Sequence, residues 1–569
     1  MKYYMGIDIG TYESKGLLMD QEGKVVAAAS REHIMEVPAP GYAEHDADAV
    51  WWGEFCSISR ELIRAFGGDP KDIKGVGCSG IGTCCLPVDE SDRPLRKAIL
   101  YGVDVRASKQ IDEINRMLGE EFILSKYGCP VTSQSPAPKI LWLKENEPEI
   151  YRKTAKFITS STFLVAKLTG RYCIDHYTAA TCSPMYDPKA LDWDRDGAAG
   201  VRLFCRADQL AECMWTDKIA GEVNAHAARE TGLAEGTPVT TGTADAAAEA
   251  VAAGVLEPGD MLLMFGSSVF MIHVTPERIT DRRYWSGPYL TKDTWAVTSG
   301  MSTAGTLTRW FRDELAPDHM EAQRLGRGNA YESLADSIAD IPPGSDGLIV
   351  LPYFSGERTP INDPGAKGIF AGLTLRHTRA HLYRACLEGV AYGIRQHLDG
   401  YAEIGVKTRR IVAVGGGIKN RKWMQIVADA TGRELQLGGM YDVAIASGRE
   451  PQIGGIDDVA IASERRPQHS GMYGAAEKTG REPKPGGAYG AAYGDALLAA
   501  FATEHRSPMG SKNDVATASG RFAGMGDLRG MLRFGDVVTP DAGNYGVYSS
   551  MTQMYTELYE STKSLMHRL

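Results

Sequence analysis

The sequence predicts an α/β protein with two lobes facing a central cleft, and three observations carry that prediction. The first strand runs Gly6-Ile7-Asp8-Ile9-Gly10-Thr11, a charged strand that ends in a small-residue turn. A second loop of the same kind, Gly242-Thr243-Ala244-Asp245, recurs far downstream. Strand-like runs at 73–78, 261–265, 347–351 and 410–414 alternate with helical stretches at 49–66, 138–146 and 380–401, which is the pattern of a layered α/β architecture. At 569 residues the chain exceeds one hydrophobic core, so two domains are expected. The boundary falls just after Asp245, where 246–254 reads as a tightly packed helix, giving domains of 1–247 and 248–569.

The first turn is built to meet an anion. Residues 5–9 are apolar enough for a buried strand, and Asp8 interrupts them with a charge that needs a partner, such as magnesium or its water shell. Gly10 lets backbone N–H groups approach an anion closely, the Thr11 and Ser14 hydroxyls add donors, and Lys15 adds positive charge. Residues 14–20 then alternate like the return strand of a hairpin. No GxxxxGK[ST] run is present and no helix follows the turn, so neither a Walker loop nor a dinucleotide fingerprint fits. The plain alternative is a β-hairpin with a polar corner.

The second loop follows a strand at 238–241 and leaves Asp245 at its C-terminal end, where a carboxylate can orient a hydroxyl and accept its proton. An Asp that caps the helix behind it is the alternative. A third element, Val414-Gly415-Gly416-Gly417-Ile418-Lys419-Asn420, brings backbone against a flat or anionic ligand, or simply joins a strand to a helix. A fourth, Phe265-Gly266-Ser267-Ser268, offers hydroxyls and N–H groups to phosphate oxygens.

Composition bounds the rest. Hydrophobic residues make up 43% and charged residues 24% of the chain, and 62 basic against 72 acidic residues give a net charge of −10. That balance argues against a nucleic-acid surface while leaving room for an anionic ligand held by a few local cations. No apolar run reaches the roughly 18 to 20 residues a membrane span needs, and the start leads directly into the Asp8 strand, so a cytoplasmic protein without a signal peptide is expected. The ten cysteines form no CxxC pair and read as reduced, packed thiols.

One region breaks the alternation. From Met440 to Gly487 the chain runs in three units of sixteen residues, echoing the frame of 424–439. Gly, Pro and charge favour an exposed excursion inserted in the C-terminal domain, with the chain leaving the core near Gly438 and returning near Gly486. Deleting 440–487 is expected to preserve folding and activity.

Taken together, these elements resemble the FGGY carbohydrate kinase family, in a xylulokinase-like form. Further matching stretches are 41–46 before Trp51 and Trp52, Tyr101-Gly102-Val103-Asp104-Val105-Arg106, 139–143, Ser355-Gly356-Glu357-Arg358-Thr359-Pro360, the run from Gly368 through Gly389, Tyr493-Gly494-Asp495-Ala496 and the tail at 555–569. The resemblance implies two ribonuclease-H-like domains of the actin-like ATPase type. It also implies transfer of the γ-phosphate of ATP to a sugar or polyol hydroxyl, with a ketopentose such as xylulose the expected substrate. Asp245 would be the base and Asp8 would lie near Mg2+. Gly10, Thr11, Ser14, Lys15, Gly266 and Ser267 would surround the phosphates, and Gly416, Gly417 and Asn420 the adenosine. Xylulokinases carry Ser-Gly-Gln-Met-His where this chain has Ser79-Gly80-Ile81-Gly82-Thr83, so Thr83 stands where His is expected. Thr83, Asp104 and Arg106 are the expected sugar contacts, with a structural ion pair the alternative for the last two. A non-catalytic sugar- or nucleotide-binding regulator is the rival reading, and a homodimer is an assembly the sequence allows.

Overall fold

The structure, a computed structural model, describes residues 1–195, 197, 199–438, 489–505 and 521–569. The sixteen-residue repeats at 440–487 lie outside the described residues.

The first sheet grows from the hairpin that the Gly10 turn closes. Strands β1 (Tyr3–Ile9) and β2 (Glu13–Asp20) pair antiparallel with Asp8 opposite Lys15, and β3 (Val25–Glu32) extends the meander. On the other side of β1, β4 (Ile73–Gly80) runs parallel to it with Asp8 beside Ser79. Parallel neighbours need a crossover, and this one carries helix α1 (Gly53–Phe66), which buries Phe55, Ile58 and Leu62. A π-helical turn, Ala47–Trp52, precedes α1, so the helical stretch expected at 49–66 is two elements, with Asp46 accepting from Ala49 N–H at its start. Beyond β4 the sheet continues through β5 (Ile219–Glu222) at the edge and β6 (Pro238–Thr240), while β7 (Thr243–Ala244) pairs parallel with the end of β4. Helix α2 (Asp245–Ala252) starts where β7 stops, and the expected boundary at 247/248 falls inside it.

The second sheet repeats this plan. Strands β8 (Asp260–Phe265) and β9 (Val269–Thr275) form its hairpin, and β10 (Trp285–Pro288) and β11 (Trp295–Met301) complete the meander. On the far side of β8 lie the parallel strands β12 (Arg410–Val414) and β13 (Leu435–Gly438), then antiparallel β14 (Phe534–Val538). Helix α3 (Gly305–Leu315) follows the meander, α4 (Arg379–Glu403) crosses to β12, and α5 (Arg421–Thr431) joins β12 to β13.

The two sheets are tied by a helix that comes late in the chain. Helix α6 (Gly490–Glu504) packs on β1, β4 and α2. Its small residues permit this: a Cβ at Gly494 would stand 1.9 Å from the carbonyl oxygen of Ala248. Ala496 and Leu497 of α6 join Leu17 and Met19 of the first sheet and Leu262 and Ile272 of the second in one buried cluster. Helix α7 (Tyr545–Met566) closes the second lobe with buried Tyr548, Tyr555 and Tyr559. All ten cysteines are free thiols, and no helix among the described residues is long and apolar enough to cross a membrane.

Candidate active site

Strand register brings the two acidic loops together. Strand β4 lies between β1 and β7, parallel to both, with Asp8 beside Ser79 and Ala244 beside Gly80. Asp8 and Asp245 therefore emerge at the same end of the sheet, two strand spacings apart, about 10 Å between backbones. Asp245 is the first residue of α2, and its Oδ1 accepts the N–H of Ala246 at 2.8 Å.

Two further carboxyls, which the sequence reading left aside, complete the acidic group. Glu249, one turn along α2, faces Asp8 and Lys15 and accepts from the N–H of Ala491 at the start of α6. Asp495 of α6 is fully buried, and Ser79 Oγ stands 2.7 Å from its Oδ2 and 2.8 Å from Asp8 Oδ1. A hydroxyl has one proton and cannot donate to two carboxylates, so one of the two acids must donate to Ser79 instead. Asp495 is the one its surroundings protonate: its other oxygen has no hydrogen-bond partner among the described residues, and burial, then the charge of Asp8, pushes its carboxyl well above the usual range. Burial also raises Asp8, against the Ser79 hydrogen bond and the charge of Lys15. Burial first and Asp8 second push Asp245 up to about 7, and the same two causes push Glu249 up to about 7. Lys15 itself pairs with Glu13 at 3.2 Å.

The Gly10 turn and the Gly266 turn occupy equivalent places, each joining the first two strands of its sheet through three residues. In the first, Gly10 N–H closes on Glu13 O at 3.1 Å; in the second, Gly266 N–H closes on Ser268 O at 2.9 Å. The carbonyl oxygens of Gly10 and Thr11 are held by two imidazoles, His33 Nε2 and His45 Nε2, each at 3.1 Å. Those of Gly266 and Ser267 are held by the start of α3: Gly305 N–H donates to Gly266 O, and Ala304 and Thr306 N–H donate to Ser267 O, at 3.0 to 3.1 Å. The glycine triplet lies against the same place, since a Cβ at Gly415, whose φ is +90°, would stand 2.4 Å from Phe265 O.

The remaining expected residues divide. Thr11 Oγ1 reaches Tyr101 OH at 3.1 Å beside the acidic group. Ser14 does not join Thr11: strand alternation puts it opposite Ile9, while Lys15 is opposite Asp8, and its buried hydroxyl has no partner among the described residues. Thr83 is buried, with its hydroxyl on Gln134 O at 3.1 Å and Thr181 Oγ1 at 2.7 Å. Asp104 and Arg106 form a closed pair at 2.7 Å whose carboxylate also accepts Ala43 N–H. The guanidinium in turn pairs with Glu44 at 2.8 Å and stacks on Tyr42 and Trp142. Gly416 opens a short 3-10 turn, Gly416–Lys419, that includes Gly417, and Asn420 Oδ1 accepts Trp423 N–H at 3.0 Å to start α5.

Both lobes of the chain are similar to known proteins. The N-terminal domain of the FGGY family of carbohydrate kinases matches residues 3–252, and its C-terminal domain matches 261–448. Xylulose kinase of Bacillus subtilis (strain 168) is 30% identical over 431 residues, 75% of this chain and 83% of the relative. Gluconokinase of the same organism is 29% identical over 446 residues, 77% of this chain and 85% of the relative. The crystal structure of xylulose kinase from Rhodospirillum rubrum superposes over 100% of both chains with a TM-score of 0.82 at 28% identity. The chain is thus a member of the FGGY family of carbohydrate kinases, enzymes that phosphorylate an alcohol group of a sugar or polyol with ATP.

Proposed function

We propose that the protein phosphorylates a neutral sugar, a ketopentose such as xylulose, with Asp245 as general base. The observation that carries this reading is the placement of Asp8 and Asp245 on either side of β4, which brings both carboxyls to the same end of the first sheet. An Asp245 carboxyl pushed up to about 7 is ionised often enough at neutral pH to take the hydroxyl proton, and basic enough to want it. As the sugar oxygen attacks the γ-phosphorus, its proton passes to Asp245 and the β–γ bridging oxygen leaves with ADP.

Residues 1–247 are proposed to hold the sugar and 248–569 the ATP. Thr11, Lys15 and the amides of the first turn would receive the transferring phosphate, Gly266 and Ser267 the phosphates held by the second lobe, and Gly416 and Gly417 the adenosine. Asp8 suits a hard cation, because one of its oxygens accepts from Ser79 while the other has no protein donor among the described residues. Mg2+ held there and by phosphate oxygens would neutralise charge on the transferring group.

A neutral substrate is favoured over an aldonate by the cations near Cys84 and Cys85. Arg106 is closed in its carboxylate pairs, and Lys139 is buried with its ammonium on Ser133 O at 2.6 Å, where burial lowers it to about 8. Neither is left to meet a substrate carboxylate. The relatives named xylulose kinase support the ketopentose. The test is ADP release across D-xylulose, other ketoses, gluconate and polyols, with Asp245→Ala alongside. Release that depends on a ketopentose and vanishes in the variant supports the reading; turnover of gluconate alone overturns it.

A further inference from the structure

The two histidines behind the Gly10 turn do more than fill space. A trans peptide sets its C=O and N–H in opposite directions. Fixing the carbonyl oxygens of Gly10 and Thr11 on one side therefore turns the amides of Thr11 and Tyr12 to the other. Neither amide has an acceptor among the described residues, so two successive N–H groups are left to converge on an anion, as in a nest. The same holds in the second lobe, where the amides of Ser267 and Ser268 have no acceptor among the described residues and the start of α3 holds the carbonyls.

The hydrogen-bond partners also bear on the state of each ring. Trp51 Nε1 can only donate, and it stands 3.1 Å from His45 Nδ1, so that nitrogen is the acceptor and Nε2–H faces Thr11 O. His45 is therefore neutral, in keeping with burial and the neighbouring charge of His33, which lower it to about 4. His33 meets acceptors on both sides: Glu54 Oε2 stands 2.9 Å from Nδ1 and Gly10 O 3.1 Å from Nε2. A ring that donates from both nitrogens, an imidazolium beside the Glu54 carboxylate, satisfies both contacts together. His33 arrives there because β3 pairs Glu32 with Glu13, which brings the next residue abreast of Tyr12, whose carbonyl oxygen accepts the His33 N–H at 2.9 Å.

We propose that His33, as a cation held by Glu54, and His45, as a neutral donor, are positioning residues that aim the Thr11 and Tyr12 amides at the phosphate of ATP. This rests on the reading of residues 10–12 as a phosphate site. A positive ring behind the turn also favours an anion in front of it.

The experiment measures binding of a non-hydrolysable ATP analogue with Mg2+ to the full chain by calorimetry, beside the Michaelis constants for ATP and sugar. His33→Ala is expected to weaken the analogue and raise the ATP constant about tenfold, the factor one net hydrogen bond supplies, with the sugar constant within about twofold. His33→Gln, whose amide can still donate to Gly10 O, is expected to recover part of the loss. If His33→Ala does not fold, Glu54→Gln carries the test, with an expected loss of about threefold. Analogue affinity unchanged in both His33→Ala and Glu54→Gln overturns the inference, as does an equal loss of sugar and nucleotide with no recovery by Gln. A wild-type protein that binds no analogue overturns the phosphate site itself, and the inference with it.

Discussion

The two hairpin turns hold equivalent places in their sheets and differ in what stands around them. The first carries Asp8 on the residue before its last strand position, where the second carries Met264. Its carbonyls are held by two side chains, whereas those of the second are held by the first amides of a helix. The first turn is thus charged and adjustable through single residues, while the second is neutral and set by the placement of α3. On the proposed reading, one lobe would supply the reacting charges and the other a fixed seat.

The largest effect should come from the charged lobe. Asp245→Asn keeps the shape and removes the base, so turnover should fall at least about a thousandfold while the ATP analogue still binds; a loss under about tenfold, read by coupled ADP release, would end the division of labour just drawn. In the neutral lobe, Gly305→Val would place a Cβ 2.4 Å from Gly266 O and push the start of α3 off its turn. The specificity constant for ATP should drop up to about a hundredfold with the sugar constant little changed, since a misplacement of about 1 Å has that scale. Equal effects on both substrates would show that the second turn is no separate seat.

The acid limb of sugar turnover sharpens the contrast further. Asp245 must be ionised to act, so the specificity constant for sugar should fall tenfold per pH unit below about 7, whereas the affinity of the second lobe for adenosine should not follow that limb. A flat profile from pH 5 to 8 would exclude Asp245 as the titrating base. The smallest effect is on stability. Asp8, Asp245, Glu249 and Asp495 all bind their protons more tightly folded than unfolded. The stabilisation this brings is present in acid and is lost as pH rises above the ordinary carboxylate range, about 4, the share of Asp245 and Glu249 being lost through about 7. Asp495→Asn should flatten this slope and raise the melting temperature by a few degrees at pH 8 relative to pH 5, as thermal unfolding at the two pH values would show.

Much of this contrast could be read from sequence, and the reason is that it is local. A charge inside an apolar strand beside a glycine turn is visible within six residues, and so is Asp245 after its strand. Ser14 was misplaced although the signal was present, because alternation from Asp8 opposite Lys15 sends the neighbouring residue to the other face. Ser79 and Asp495 were not legible as a pair, since 416 positions separate them and each sits in a segment that reads as an ordinary strand or helix. His33 lies just past an edge strand, where a histidine means nothing until the β2–β3 register brings it behind Gly10. Asp104 and Arg106 show the opposite case: their pattern is conspicuous, and the conspicuous charges neutralise each other.

Helix α6 sets an order of manufacture. The first sheet is complete by Ala244, yet one of its faces is covered by residues 490–504. While the chain emerges from the ribosome, that apolar face must wait, open, for nearly 250 further residues to be made. The first lobe is therefore synthesised long before it can be finished, a period in which it depends on not meeting a second copy of itself.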